Sequence, residues 1–413
     1  MNWQKEFGYD YHKNNDFLFM TIIILSIFGL IVNRPILFLI VGLFSAYLII
    51  NYFYDKYIGK HFYIVNDRQT VRLFPGDDAN LRIVFQNNLI IPYINGTFEF
   101  QLDNNVTSDK HVTKIDKQIQ TYEVPLSVIS RGKTVLSIPI VANSRGVARL
   151  RNIQYQLPHL FNFDKLRLKY QAYFSLEFIV FPKILPVERT KQMFEILPGD
   201  EYTNFSPYED ILSPLGTRAY TYSDPFQRIN WKATAKTQQL QTNVYEKTID
   251  KSYFFIVNLT DERMKGQNIM SPYLEELLSF VAYLTEQATK EKVAYEVALN
   301  ARRFGDRSYI HIANGQGNAH YMNTMEMLAR IHPHSLGISF TDMLYRLRQH
   351  ILAANIIVFI GEVPAEANHL LEQWQKQNKR LYHVKRYDDD RAMMKPWVKD
   401  VMLDDVEAVN HHV

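Results

Sequence analysis

Between Arg218 and Leu240 the chain sets the cations Arg218, Arg228 and Lys232 and the acid Asp224 beside Tyr220 and Trp231. Two kinds of chemistry suit this group. The cations can bind an acidic partner, or an anion at a helix start where backbone N–H groups converge. Alternatively, Arg228 pairs with Asp224 and stacks on Trp231, locking the segment against the domain that follows. Nucleophilic and nucleotide chemistry have no comparable group. The sequence contains no G-x-x-x-x-G-K-[ST], G-x-S-x-G or H-E-x-x-H and no cysteine, which excludes disulfides, thiolate nucleophiles and sulfur-ligated zinc.

The elements that must position these residues can be read from pattern. Asp224-Pro225 predicts a turn and a helix start, with an Asp cap and proline at the first helical position. The helix would run from Gln227 to Leu240, with Ile229, Ala233 and Lys236 near one face. The chain has 413 residues, enough for two or three domains, and its net charge of +3 is too small to argue for nucleic acid.

Residues 1–60 predict a transmembrane hairpin. Phe17–Val32 and Ile36–Tyr54 are apolar runs separated by Asn33-Arg34-Pro35, each near the ~20 residues that span a hydrocarbon core. A signal peptide fits less well, because no small-residue cleavage site follows the first run. A buried or interfacial hairpin is the other alternative. Lys5 and Lys13 precede the spans, Lys56, Lys60 and Arg68 follow them, and Arg34 lies between. The positive-inside rule then predicts a multi-pass cell-membrane protein with its soluble part in the cytoplasm.

Residues 61–186 change to period two. Thr70–Phe74, Leu81–Gln86, Thr97–Leu102, Gln118–Val124, Thr134–Ile140, Ala148–Tyr155 and Leu176–Phe181 read as short strands between Gly, Asn and Pro turns. That spacing predicts an immunoglobulin-like β-sandwich. The basic residues Arg145, Arg149, Arg151, Lys165, Arg167 and Lys169 suit either anionic headgroups or, better, solvated strand faces.

Residues 187–250 form the connecting segment that carries the Arg218–Leu240 group, and residues 251–413 predict an open α/β domain. Tyr253–Leu259 and Asn355–Ile360 are apolar runs of the kind buried on both faces of a sheet. Val293–Leu299 follows a helix opened by Ser271-Pro272, and Arg307–Ala313 fits a hairpin edge. Helices follow at Ala319–Ile331, Phe340–Ala353 and Pro364–Asn378, with Leu381–Val384 as the last strand. Alternation of this kind gives a doubly wound, largely parallel sheet. Gly315-Gln-Gly317, His332-Pro333-His334 and Asp388-Asp389-Asp390 read as turns or loops, the last alternatively as a helix cap; His411-His412 is too short to interpret.

Arg218, Tyr220, Asp224, Arg228, Ile229, Trp231, Lys232, Ala233, Ala235 and Lys236 resemble the signature of a prokaryotic family, domain of unknown function fifty-eight. That signature reads R-x-Y-x-x-G-D-x-x-R-x-I-x-W-x-A-x-A-R; here Ser223 and Lys236 replace its Gly and final Arg, and Arg228 falls one place later than its central Arg. FPGDDANLRIVFQN, SRGVARLRNIQYQLPHLFNFDKL and FIVFPKILPV resemble its earlier stretches, although its acid-Pro-Phe-Gly turn is replaced by His159-Leu160-Phe161-Asn162.

The resemblance implies a von Willebrand factor A-like C-terminal domain. It also implies partners, an AAA+ ATPase of the MoxR type and a transglutaminase-like membrane protein. A-type domains hold magnesium on an Asp-x-Ser-x-Ser strand end with ligands from later loops. The matching residues here are Asn258, Thr260 and Glu262, with Thr341 and Asp342 near the second loop and Glu362 near the third. The set is degenerate, and Asn258 and Thr260 equally suit capping of the strand end. The function expected is a non-enzymatic membrane scaffold or adaptor. The alternatives are a metal-dependent hydrolase using strand-end carboxylates and an outward-facing envelope binding module. Apart from magnesium, no cofactor is implied.

Overall fold

The computed structural model describes residues 2–7, 11–32, 34–65, 69–110, 112–116, 118–161, 165–190, 209–247, 252–261, 268–302, 308–353, 356–377 and 379–398. The chain divides into two compact units. One comprises Met1–Lys183 with Glu326–His332; the other comprises Ile184–Met325 with Pro333–Val413. The architecture is mixed α and β, with mostly antiparallel sheets in the first unit and a largely parallel one in the second.

Two helices open the first unit, α1 (Tyr11–Val32) and α2 (Pro35–Tyr57). Their segments Asn15–Val32 and Pro35–Tyr57 are long and apolar enough to cross a membrane. Phe17, Ile24, Leu30, Ile36 and Leu39 point away from the protein, so the pair is not a buried core hairpin.

The chain ahead of α1 is part of the β-structure, although sequence reading assigned it to the apolar hairpin. Trp3–Glu6 is a strand that pairs with Lys165–Tyr170, and Trp3 stacks on Phe62 inside the core. The far end of α2 is fastened to the same body. Asp55 accepts a hydrogen bond on its carbonyl from Lys5 Nζ at 2.6 Å, and its Oδ1 lies 2.9 Å from His159 Nε2. His159 is buried, its ring 4.7 Å from that of Tyr54. The turn at His159 therefore docks the end of α2.

The β-body is two sheets sharing one core. The smaller has the order Phe62–Ile64, Asp78–Asn87, Gly132–Ala142, Val106–Thr107. The main path of the larger runs Trp3–Glu6, Lys165–Tyr170, Gly146–Pro158, Tyr93–Asp103, Ile119–Val128, Val112–Ile115. Alternation explains the packing. Leu81, Ile83 and Phe85 face inward from one sheet, and Phe98, Phe100 and Leu102 from the other, with the Phe85 and Phe98 rings 4.9 Å apart.

Arg145 departs from the solvated-face expectation. It is buried and donates to the carbonyls of Leu328 and Ile331. Arg149 and Arg151 do face solvent, paired with Glu177 and Asp103.

The second unit is built on a seven-stranded sheet. Its order is Val187–Glu188, Arg391–Pro396, Arg380–Asp388, Ile356–Ile360, Ser252–Val257, Ala294–Arg302, Tyr309–Gly315. Ser252–Val257 pairs in parallel with the strands on both sides, and Tyr253 to Val257 are all buried. Tyr309–Gly315 is the antiparallel edge expected from the sequence. Leu381–Val384 is not the end of the sheet. It extends to Asp388, turns through Asp390 in a left-handed conformation, and returns as Arg391–Pro396.

Helices cover this sheet. In α3 (Trp231–Thr237), a short helix outside the sheet, packing plays little part. In α4 (Leu274–Lys290), Glu275 and Glu276 open the helix and Lys290 closes it, matching the helix dipole. After α5 (Asn318–Ala329) comes α6 (Phe340–Ala353), which buries Phe340, Met343, Leu344, Leu347 and Ile351 at helical spacing. A 3₁₀ turn, Ala365–Ala367, leads into α7 (Asn368–Lys376), which buries Leu371 and Trp374.

Candidate functional site

The signature group sits on an antiparallel hairpin, Glu209–Ala219 against Gln241–Lys247, separate from the large sheet. The helix between its strands is shorter than expected and starts later. Phe226–Arg228 is a 3₁₀ turn, and α3 begins only at Trp231, because Asn230 is the real cap, its Oδ1 accepting from Ala233 N at 2.9 Å. Gln238 ends it in a left-handed conformation.

Asp224 closes the preceding turn instead. It takes a two-pronged ion pair from Arg218, at 2.7 and 2.5 Å, and accepts from the N–H and hydroxyl of Thr221, each at 2.9 Å. The Arg218 guanidinium, with the Thr221 donors, holds the Asp224 carboxyl well below the usual carboxylate range. The expected Arg228–Asp224 pair is therefore replaced by Arg218–Asp224.

Arg228 lies 5.8 Å from the Tyr245 ring, and Trp231 meets Phe226 edge-on at 5.9 Å. Each of these contacts joins residues of the same hairpin. Tyr222 is wholly exposed, Trp231 is 60% exposed and Lys232 faces solvent, while Tyr220 is half-buried. The group is thus an ordered surface feature, not a buried cation–aromatic lock.

The second group lies at the carboxyl end of the central strand. Asn258 and Thr260 are buried, and a residue that sequence reading passed over, Asn300, completes their network. Asn300 Nδ2 donates to Asn258 Oδ1 at 2.7 Å and to Thr260 Oγ1 at 2.9 Å. Asn258 Oδ1 also accepts from the hydroxyl and N–H of Thr260, at 2.8 and 3.1 Å. Asn258 Nδ2 donates to the Glu362 carbonyl at 2.7 Å, and Asn300 Oδ1 accepts from Leu259 N at 2.6 Å. Two strand ends and the loop after a third are tied by amides.

This donor set does not suit magnesium. A cation beside Asn258 Oδ1 and Thr260 Oγ1 would face the Asn300 N–H groups, which already donate to both oxygens. Glu362 contributes its backbone carbonyl, and its side chain is exposed. Asp342 is exposed at the start of α6. Glu262 lies outside the described residues. The strand-capping role accounts for the geometry found.

Above this network opens a cavity of about 450 Å³, lined among others by Asp261, Tyr273, Glu362, His383, Arg386 and Trp397. It lies between the ends of Ser252–Val257 and Ile356–Ile360, where the strand order reverses. Such a switch point is where open α/β sheets bind their ligands. Arg386 stacks 4.0 Å from the Tyr273 ring and pairs with Glu276 and Asp389. His383 Nε2 lies 2.7 Å from the Gly361 carbonyl. Gly361 holds φ +94°, and a Cβ there would stand 2.4 Å from the Asn258 carbonyl oxygen, so the loop beside the cavity requires glycine. Polar residues at strand ends were the available sequence signal; Asn300, one place past the predicted Val293–Leu299 strand, is of that kind.

No family model matches this chain, and no curated protein does. Among solved structures, it is similar to a non-cellulosomal cohesin from Archaeoglobus fulgidus, with 11% identity over 33% of this chain and 99% of that one, at a TM-score of 0.19. The seventh ScaB type I cohesin from Pseudobacteroides cellulosolvens gives 13% identity over 29% and 91%, at 0.18. Spo0M, a sporulation control protein from Bacillus subtilis, gives 9% over 29% and 47%, at 0.15. Scores this low carry no argument about the fold or activity of this chain.

Proposed function

We propose that this chain is a membrane-anchored, non-enzymatic scaffold that recognises a protein partner through the strand-end cavity of its α/β unit. The observation that carries the proposal is the cavity at the switch point, floored by the Asn258–Thr260–Asn300 network. The floor's polar groups already satisfy one another. What the cavity offers a partner is shape and the exposed side chains of Glu362, Ala365 and Val398 on its wall.

The strand order supports a von Willebrand A-like reading of this unit. Taken from the central strand, it follows the doubly wound 3-2-1-4-5 pattern with an antiparallel edge. The two-sheet body with its shared core supports an immunoglobulin-like reading of the first unit. The signature residues support membership of the family of domain of unknown function fifty-eight. That resemblance supplies the proposed partners, a MoxR-type AAA+ ATPase and a transglutaminase-like membrane protein, by analogy.

The anchor is read from α1 and α2. The strand Trp3–Glu6 ahead of α1 and the end of α2 both join the β-body, which fits a hairpin with both ends on one face of the bilayer. The lysine and arginine distribution supports the cytoplasmic face.

The test is affinity purification of the intact protein from its native membrane, beside an Ala365→Arg variant. Ala365 is exposed and lines the cavity, so arginine would fill the cavity while leaving the core intact. A MoxR-type ATPase recovered with the parent and lost with a folded variant supports the proposal. Equal recovery with both moves the contact elsewhere, and recovery of no ATPase after gentle cross-linking removes the proposed partner.

A further inference from the structure

Toward the amino end of the large sheet, three metal-binding side chains converge from three elements. Glu296 stands on Ala294–Arg302, His311 on the edge strand Tyr309–Gly315, and His350 near the end of α6. Glu296 is in register with Phe254. Phe254 precedes Asn258 by four residues, or roughly 13 Å of strand, so the cluster is separate from the cavity.

The fold explains the convergence. His311 faces Ala298 across the ladder, and Glu296, two residues before Ala298, shares its side of the sheet. Ala298 packs in one cluster with Phe340, Met343, Leu344, Leu347 and Ile351, so α6 covers this same side and brings His350 to its rim. His311 Nε2 lies 2.5 Å from Glu296 Oε1, and His350 Nδ1 lies 3.2 Å from the same oxygen. The two imidazoles stand 4.6 Å apart, and one ligand atom from each residue falls within 4.8 Å of the others.

We propose that Glu296, His311 and His350 form a binding site for one divalent transition-metal ion of the zinc class. Ligand atoms about 2.1 Å from a tetrahedral zinc lie about 3.4 Å from one another, so small side-chain adjustments complete the geometry. Two imidazoles select a borderline ion such as zinc, cobalt or nickel over magnesium or calcium. His350 is 45% exposed, which leaves a remaining coordination position to water and opens the site to solvent. A bound ion would join the edge strand, its neighbour and α6, and would stabilise the fold because the unfolded chain has no such site.

The experiment uses the full chain in detergent micelles, stripped with a chelator and titrated with Co²⁺, whose visible absorption reports imidazole and carboxylate ligation. The parent should bind one Co²⁺, release it to Zn²⁺, ignore Mg²⁺ and melt higher with Zn²⁺. His350→Ala, His311→Gln and Glu296→Gln should each lose the absorption band and the thermal shift. His350→Ala, altering an exposed side chain, should melt like the metal-free parent, which separates lost binding from lost folding. Absence of the band in the parent overturns the proposal and leaves the cluster as an imidazole–carboxylate hydrogen-bonded group. A band that survives all three substitutions places the ion elsewhere and also overturns it.

Discussion

Asn300 and Asn258 meet amide to amide at the end of the central strand, the Asn300 N–H group 2.7 Å from Asn258 Oδ1. Both are buried, and the same Asn300 nitrogen reaches Thr260 Oγ1. A donor in this position makes the strand end self-sufficient. Asn300→Ala should strand the Leu259 N–H and leave a void, destabilising the second unit by about 3 kcal/mol. Thermal or denaturant unfolding of the full chain measures this. A change below about 1 kcal/mol would mean that the network contributes little.

Gly361 and Asn258 impose a second requirement on the same loop. Gly361→Ala would force a left-handed residue to carry a Cβ and push it against the Asn258 carbonyl. The expected cost is about 2–3 kcal/mol, from the backbone conformation and the displaced loop together. Gly216→Ala is the control, because a Cβ there meets nothing within 4 Å. Unfolding curves should separate the two variants clearly.

The Arg218–Asp224 pair predicts how the signature turn answers to acid. The Asp224 carboxyl is held below its ordinary value by Arg218 and Thr221. The folded turn therefore binds its proton later than the unfolded chain does. Its contribution is complete above the usual aspartate pKa of about 3.9 and is lost as pH falls through the lower folded value. Pepsin, active across this range, can read the effect at the exposed Tyr222 and Phe226. The parent should resist cleavage there at pH 4 better than Asp224→Asn, and the difference should shrink as pH falls toward 2. Equal cleavage at pH 4 would show that the pair does not order the turn.

The proposed topology can be examined cleanly because the chain has no cysteine. A single cysteine at Arg34, between the two spans, should react with an impermeant maleimide added to intact cells. One at the exposed Ile115 should react only after the membrane is opened. The reverse pattern would turn the soluble units outward and favour an envelope-facing role.

Where burial leaves a one-dimensional trace, the sequence displayed the fold. The continuous apolar runs Tyr253–Val257 and Ile356–Ile360 became central strands, and alternation marked Leu81–Gln86 and Thr134–Ile140. Trp3–Glu6 left no such trace, because a short strand ahead of an apolar helix is defined by a partner far along the chain. Asp224-Pro225 has the form of a helix cap, yet Arg218 draws Asp224 into a turn and Asn230 caps the helix. Arg145 looked solvated because its acceptors, the carbonyls of Leu328 and Ile331, appear only in three dimensions. The meeting of Glu296, His311 and His350 likewise depends on sheet register and helix placement.

The most direct test of the scaffold proposal is binding between purified components. The full chain in nanodiscs is titrated with the MoxR-type ATPase of its own organism, alongside the Ala365→Arg variant. The account predicts a saturable complex with the parent and at least a tenfold loss of affinity with a variant that melts normally. No complex with the parent, or equal affinity for both, would contradict recognition through the strand-end cavity.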